Sequence, residues 1–304
     1  MTTKGLTRLV MGALLWPAML SAQTEQMQLV RVGEKPVAYH VLGHGTATPL
    51  LLINGGPGYA HGFLHFGNNV WERIAGARRV VFFDQPGTGL SWGVGPNDSL
   101  VVADILWSIE AIREALGVPR VAVLGHSWGG YVALAYARRY PDHVDRVLLV
   151  GSVSPPKIAT TEFLFGALFP ERVAAQERLS ADNPGDVQRY IRGQLAMSFY
   201  SPEVRERVLA ELGVTVYNAR QDALLWKDVE AHGLTAEDLK RLSMPVLVTT
   251  GRFDANVAPR TAWRIHQAIP GSQFVVWERS GHFPMIEEPD AFFAVVDRFL
   301  RSGK

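Results

Sequence analysis

Apolar residues in this chain fall into short, dense runs from about Leu29 onward. Longer stretches between the runs repeat apolar positions every three or four residues. Seven runs read as strands: PVAYHVLG, PLLLING, RRVVFFDQ, RVAVLGH, RVLLVGS, PVLVTTG and QFVVWER. The middle ones are continuously apolar, as expected of parallel strands covered on both faces. Ser99 to Leu116 and Tyr131 to Tyr140 have helical length and spacing. Near the C-terminus, Phe292, Phe293, Val296, Phe299 and Leu300 form one helical stripe after Pro289. Strands alternating with helices predict right-handed crossovers and an open, mostly parallel sheet flanked by helices, an α/β fold.

The alternation stops between about Ser152 and Ser243. That stretch contains helical patterns and apolar clusters such as FLFGALF, from Phe163 to Phe169, but no convincing strand. The expected organisation is a core made of residues 27–151 and 244–304, with a helical cap inserted at 152–243. Such a cap would cover the C-terminal edge of the sheet, where open α/β sheets bind ligands. A set of ordinary crossover helices is the plainer alternative.

The first two dozen residues follow a different pattern. Lys4 and Arg8 precede the apolar run Leu9 to Leu20, and Ser21 and Ala22 follow it. A basic start, a short apolar run and small residues make a secretory signal, here residues 1–22 with cleavage near Ala22. The run is shorter than the roughly 20 residues that cross a bilayer, so no stable membrane span is expected after its removal. An uncleaved N-terminal anchor is the alternative, and Leu20 at a position that prefers a small residue favours it. The expected location is periplasmic or secreted.

Composition narrows the chemistry. The formal charge is +1 over 304 residues with no basic stripe, which gives no footprint for nucleic acid. There is no cysteine, so disulfides, zinc thiolates and a cysteine nucleophile are excluded. His61 and His65 are four apart, but no carboxylate pattern accompanies them as a metal site would require.

The stretch GHSWGG, from Gly125 to Gly130, follows a predicted strand and opens a predicted helix. That is the setting of a nucleophile elbow, in which Ser127 is held in a strained turn at a helix N-terminus. A serine that only caps the helix is the alternative. His126, being adjacent, points elsewhere and is expected to pack beneath the turn. A reactive serine needs a base and an acid to orient that base. Of the nine histidines, His282 lies in a loop between the last strand and the last helix, and Asp254 lies just past a buried strand. The order Ser127, Asp254, His282 is that of α/β-hydrolases. Oxyanion donors are expected from the backbone of Trp128 and from the NGGPG loop, with Gly56 favoured and Gly55 beside it.

Taken together these motifs resemble the proline iminopeptidase family. The matches are GGPG at Gly55, FFDQPGTGLS at Phe82, GHSWGG at Gly125, GRFD at Gly251 and SGH at Ser280. The resemblance implies a capped α/β-hydrolase fold and no cofactor. It further implies release of N-terminal residues, often proline, from short peptides. Carried over, it makes Ser127 the nucleophile, Asp254 the acid, His282 the base, and Gly56 with Trp128 the oxyanion hole.

Three departures stand out. Asn54 replaces the usual histidine before GGPG, and Pro86 replaces an arginine. Glutamates that hold a substrate α-amino group are missing where the family pattern would put them, leaving Glu162, Glu203 and Asp222 as candidates. A small-ester or amide hydrolase is therefore the competing expectation, with Phe163, Phe199, Tyr200 and Trp226 as apolar substrate contacts. A non-catalytic ligand-binding protein of the same fold is the third. Substrate is expected to be a small peptide or ester, and oligomeric state is left open.

Overall fold

Every strand candidate is in the sheet, and the doubly buried pattern has a direct cause. The computed structural model describes residues 27–64, 70–95, 97–155, 160–180, 183–213 and 217–302; the expected signal segment lies outside them. The strands are β1 (Gln28–Val32), β2 (Lys35–Ile53), β3 (Arg78–Phe83), β4 (Val121–His126), β5 (Val144–Val150), β6 (Val246–Gly251) and β7 (Gln273–Trp277). Their order is β1-β2-β4-β5-β6-β7, with β3 against β2. The first two candidate runs form one long strand. Its first arm pairs antiparallel with β3, Tyr39 with Phe83 through Leu42 with Val80. Its second arm pairs Leu50, Leu51 and Leu52 with Val80, Val81 and Phe82, so β3 is held between the arms. From the second arm onward β4, β5, β6 and β7 run parallel. Strand β1, a mostly exposed five-residue edge, was not among the candidates because it lacks a dense apolar run.

Because side chains alternate across a strand, consecutive apolar residues feed opposite faces. Leu51, Ile53, Val147 and Leu149 enter one core, whereas Leu50, Leu52, Leu148 and Val150 enter the other. The helices are α1 (Glu72–Ala75), α2 (Val102–Ala115), α3 (Trp128–Arg139), α4 (Phe165–Leu168), α5 (Pro170–Gln176), α6 (Pro184–Ala196), α7 (Pro202–Glu211), α8 (Ala219–His232), α9 (Ala236–Lys240), α10 (Pro259–Ala268), α11 (Pro284–Glu287) and α12 (Pro289–Arg301). Residues of α2, α3 and α10 pack in the first core, and those of α1 and α12 in the second. Helix α2 starts later than its sequence pattern because the Asp104 carboxylate accepts the Val101 N–H at 3.0 Å and closes the first turn.

Between β5 and β6 the chain forms α4 to α9. Ile191, Leu195 and Val208 of this segment reach one core, and Leu225, Val229 and Leu239 the other. It is therefore fastened on both sides of the sheet. Five functional candidates lie past strand ends on one edge: Gly55 and Gly56 after β2, Ser127 after β4, Asp254 after β6, and His282 after β7.

The C-terminal stripe is the clearest energetic element. Phe292 is fully buried, with ring contacts to Trp71, Trp277 and Phe293 at centroid distances of 6.4, 5.4 and 5.2 Å. Phe292→Ala should therefore cost about 3–5 kcal/mol in denaturant unfolding. Arg241→Ala, which breaks an exposed i,i+4 pair with Glu237, should cost under about 0.5 kcal/mol.

Candidate active site

The turn from β4 to α3 is too tight for side chains at its crossing points. A Cβ on Gly125 would lie 2.2 Å from the Gly129 carbonyl oxygen, and one on Gly129 would lie 2.0 Å from that of Ile53. Ser127 has φ 56° and ψ −121°, and is the only non-glycine with positive φ among the described residues. Such a conformation is costly and persists only where its surroundings enforce it. Its N–H donates to Val150 O at 2.9 Å, and its carbonyl accepts from Gly130 N and Val153 N at 3.0 and 3.2 Å.

His282 Nδ1 donates to Asp254 Oδ2 at 2.7 Å, and both side chains are almost wholly buried. Asp254 Oδ1 accepts from the backbone N–H groups of Asn256 and Val257 at 3.0 and 2.8 Å, which fixes the carboxylate. With Nδ1 protonated, His282 Nε2 carries a lone pair. That nitrogen has no hydrogen-bond partner among the described residues, Ser127 included, and its ring lines the same cavity as Ser127. Such links between nucleophile and base often tighten only when substrate binds. His126 lies under the turn, as expected. Its Nε2 donates to the His282 carbonyl at 2.9 Å, and burial beside His282 holds its pKa well below the usual histidine value. It is a neutral prop for the His282 backbone.

The cavity measures about 360 Å³, within the range of small-molecule sites. Gly56 reaches its wall, whereas Gly55 packs on the Ser127 Cβ and the His126 ring. Trp128 begins α3, so its N–H has no partner within the helix and is available at the turn.

Gln85 ties these two halves together, a role that no sequence motif revealed. Its Nε2 donates to Asn54 O at 3.0 Å and Asn54 Oδ1 at 3.2 Å, while its Oε1 accepts the Trp128 indole N–H at 3.1 Å. Asn54 Nδ2 in turn donates to Gly55 O and Tyr59 O at 2.9 and 2.8 Å. The departure at position 54 is thus a buried amide pair that clamps the glycine loop to the elbow.

These features can now be set beside known proteins. A sequence model described as alpha/beta hydrolase fold matches residues 48–289. The chain belongs to that family. Its place there is among the hydrolases, and its motifs bear out the likeness to proline iminopeptidases. A proline iminopeptidase of Clostridioides difficile (strain 630) is 28% identical over 286 residues, covering 87% of this chain and 94% of that protein. Among solved structures, an alpha/beta fold family hydrolase from Bacillus anthracis str. Sterne superimposes with a TM-score of 0.76 at 20% identity, covering 90% of this chain and 99% of that one. A thermophilic esterase from Thermogutta terrifontis gives 0.68 at 24% identity, covering 91% and 98%.

The helical segment supplies the other wall. Of the four apolar contacts expected from sequence, Phe163 and Trp226 line the cavity. Phe199 and Tyr200 are not among its lining residues. Phe199 stacks on Phe283 at 5.1 Å and Tyr200 on Phe253 at 4.3 Å, which turns both rings to packing. The three candidate acids also separate. Glu162 pairs with Arg264 at 2.9 Å and Arg260 at 3.7 Å, and Glu203 is exposed on the first turn of α7. Asp222 lines the cavity with Tyr59, Tyr190 and Tyr217. Burial pushes its pKa up to about 6, against hydrogen bonds from Tyr217 and Trp226 that pull it down. The tyrosines were not singled out from sequence, since Tyr59 and Tyr217 come from distant loops and meet through an isolated bridge with their ring centroids 5.0 Å apart.

Gln85→Leu keeps bulk and removes the three bonds that join Asn54 to Trp128, leaving those of Asn54 to Gly55 and Tyr59 in place. Its turnover should fall by about tenfold or more, part of the roughly 10²–10³ that one oxyanion donor contributes. Steady-state rates with p-nitrophenyl acetate, compared at equal folded fraction by circular dichroism, measure this.

Proposed function

We propose that this protein is a serine hydrolase working through an acyl-enzyme. The observation that carries the reading is the buried Asp254–His282 pair opening on a cavity shared with the strained Ser127. Ser127 Oγ attacks a carbonyl carbon while His282 Nε2 takes its proton. Asp254 stabilises the imidazolium that results. The oxygen of the tetrahedral intermediate rests on the N–H groups of Gly56 and Trp128. His282 then returns the proton to the departing amine or alcohol. Water repeats the sequence on the acyl-Ser127 ester and frees the acid.

Within this class the first reading is an aminopeptidase of the proline iminopeptidase kind, acting on short peptides outside the cytoplasm. A buried ammonium needs a carboxylate partner, and Asp222 supplies one on the cavity wall. The second reading, a small-acyl esterase or amidase, is favoured by the apolar lining from Phe163, Phe165, Ile191, Leu195 and Trp226. A non-catalytic ligand-binding protein would keep the cavity without needing the protonated Nδ1 that Asp254 enforces. The helical segment serves as a cap in either enzymatic reading, and export follows from the N-terminal pattern of the sequence.

Ser127→Ala should lose turnover on the order of 10⁶-fold, as in serine triads elsewhere, and should lose labelling by a fluorophosphonate probe. Wild-type rates in that variant would discard the nucleophile. Proline and alanine p-nitroanilides, their N-acetyl forms and p-nitrophenyl esters then separate the substrates. Anilide turnover abolished by N-acetylation identifies the aminopeptidase, and ester turnover alone identifies the esterase.

Asp222→Asn tests the amino-group contact. Anilide kcat/KM should drop about 10²-fold or more, the cost of stranding a buried charge, with p-nitrophenyl acetate changed by less than about threefold. The pH dependence has a definite sign. Asp222 is raised to about 6, so it is ionised above that pH and neutral below it. The ratio of anilide to ester kcat/KM should therefore fall as pH drops through about 6, and taking the ratio removes what the two reactions share. A flat ratio between pH 5 and 7 would remove Asp222 from amine binding.

A further inference from the structure

Outside the reacting groups, Glu287 at the end of α11 is a carboxylate with both oxygens committed to backbone donors beside the site. Its Oε1 accepts the backbone N–H groups of Tyr200 and Ser201, both at 2.8 Å, and its Oε2 accepts that of Gly281 at 2.6 Å. The first two belong to the helical segment, at the start of α7, and the third immediately precedes His282. One side chain thus holds two pieces of chain that are about eighty residues apart in sequence.

The seam it closes is narrow. His282 N–H donates to Ser198 O at 2.7 Å. A Cβ on Gly281 would lie 2.3 Å from that same oxygen, so the loop is a glycine pressed against the segment. Phe199 and Phe283 stack alongside. The neighbouring Glu288 holds only the near side of the loop, through Arg279 N at 2.8 Å and Ser280 Oγ at 2.6 Å. Glu287 alone of this pair bridges to the helical segment by these bonds. Backbone donors at the start of α7 also suit an anion, because the first turn of a helix leaves its N–H groups unpartnered.

We propose that Glu287 is a positioning residue that clasps the Tyr200–Ser201 turn to the Gly281–His282 loop, so that placement of the catalytic base depends on the helical segment being seated. This rests on the acyl-enzyme reading above. Burial pushes the Glu287 pKa up to about 7 against the pull of these three backbone donors, and in its ionised form its bonds to amides are stronger than neutral ones. A glutamine at 287 keeps the shape but replaces one acceptor oxygen with an N–H₂ facing backbone donors. The base would then lose orientation while its partner Asp254 stays in place, as happens when groups that orient a reacting side chain are removed.

The test compares wild type, E287Q, S201A and S201P. S201P removes one backbone donor to the clasp at a residue whose φ of −81° suits proline, and S201A, its reference, controls for loss of the Ser201 Oγ cap on Val204 N. Each is titrated at Ser127 with a fluorophosphonate, and kcat and KM for p-nitrophenyl acetate are expressed per titrated site. Unfolding is followed by circular dichroism. The expected result is at least a tenfold fall in kcat per titrated site for E287Q, a smaller fall for S201P, and KM within about threefold for both. A purely structural role would lower the unfolding midpoint and the titrated fraction while leaving kcat per site at the wild-type value, and that outcome overturns the clasp. If E287Q does not fold, S201P reads the same quantity, and an unchanged kcat per site there also overturns it. Wild-type protein that neither turns over ester nor is titrated at Ser127 refutes the acyl-enzyme reading instead.

Discussion

Backbone pressed on backbone at the β4–α3 turn is the constraint on which the site depends. Gly125 faces Gly129, and Gly129 faces Ile53 of β2, at distances no Cβ could occupy. This contact lets β4 pass into α3 without a loop, and it holds Ser127 at φ 56°. The strain is sustained by the sheet, since the Ser127 N–H is anchored to Val150 at the end of β5. A turn of this kind puts the hydroxyl at a helix N-terminus with N–H groups beside it. The parallel order of β2, β4, β5, β6 and β7 then delivers the glycine loop, Asp254 and His282 to the same edge.

Buried amides and acids convert that edge into fixed geometry. Gln85 and Asn54 join the glycine loop to Trp128, Asp254 is locked by two backbone donors before it meets His282, and His126 holds the His282 carbonyl. Each of these groups is buried and makes at least one hydrogen bond, while His126 Nδ1 and His282 Nε2 have no partner among the described residues. The bonds that are made favour one arrangement, which suits groups that must be in place before charge develops.

The helical segment between β5 and β6 contributes differently. Its apolar residues enter both cores, and it is also tied to the site loops at several separate places. At one of them Asn218, which caps α8 by accepting the Gln221 N–H at 3.1 Å, donates through N to Gly58 O at 2.9 Å and through Nδ2 to Gly87 O at 2.7 Å. Glu287 makes another. Tyr190, Gln194, Ser198, Tyr217, Asp222 and Trp226 of the same segment bring polar atoms to the cavity. One piece of chain thus both walls the cavity and meets the loops that carry the candidate residues.

The sequence by itself pointed to every strand of the sheet except β1, to the elbow, and to Ser127, Asp254 and His282 as candidates that the fold brings to one edge. Dense apolar runs, a glycine pair around one serine and acids past strand ends are local signals, and local signals survive without coordinates. Phe292 and its stripe were legible for the same reason. Only the tertiary structure decided which acid faces the cavity, because Glu162, Glu203 and Asp222 look alike until two arginines claim the first and solvent the second. It also moved Phe199 and Tyr200 from substrate contact to packing, and it brought Gln85 to Trp128 and Glu287 to Ser201. Those contacts join residues tens of positions apart through single side chains. Their partners are set by how strands and helices pack, and no periodicity along the chain records that.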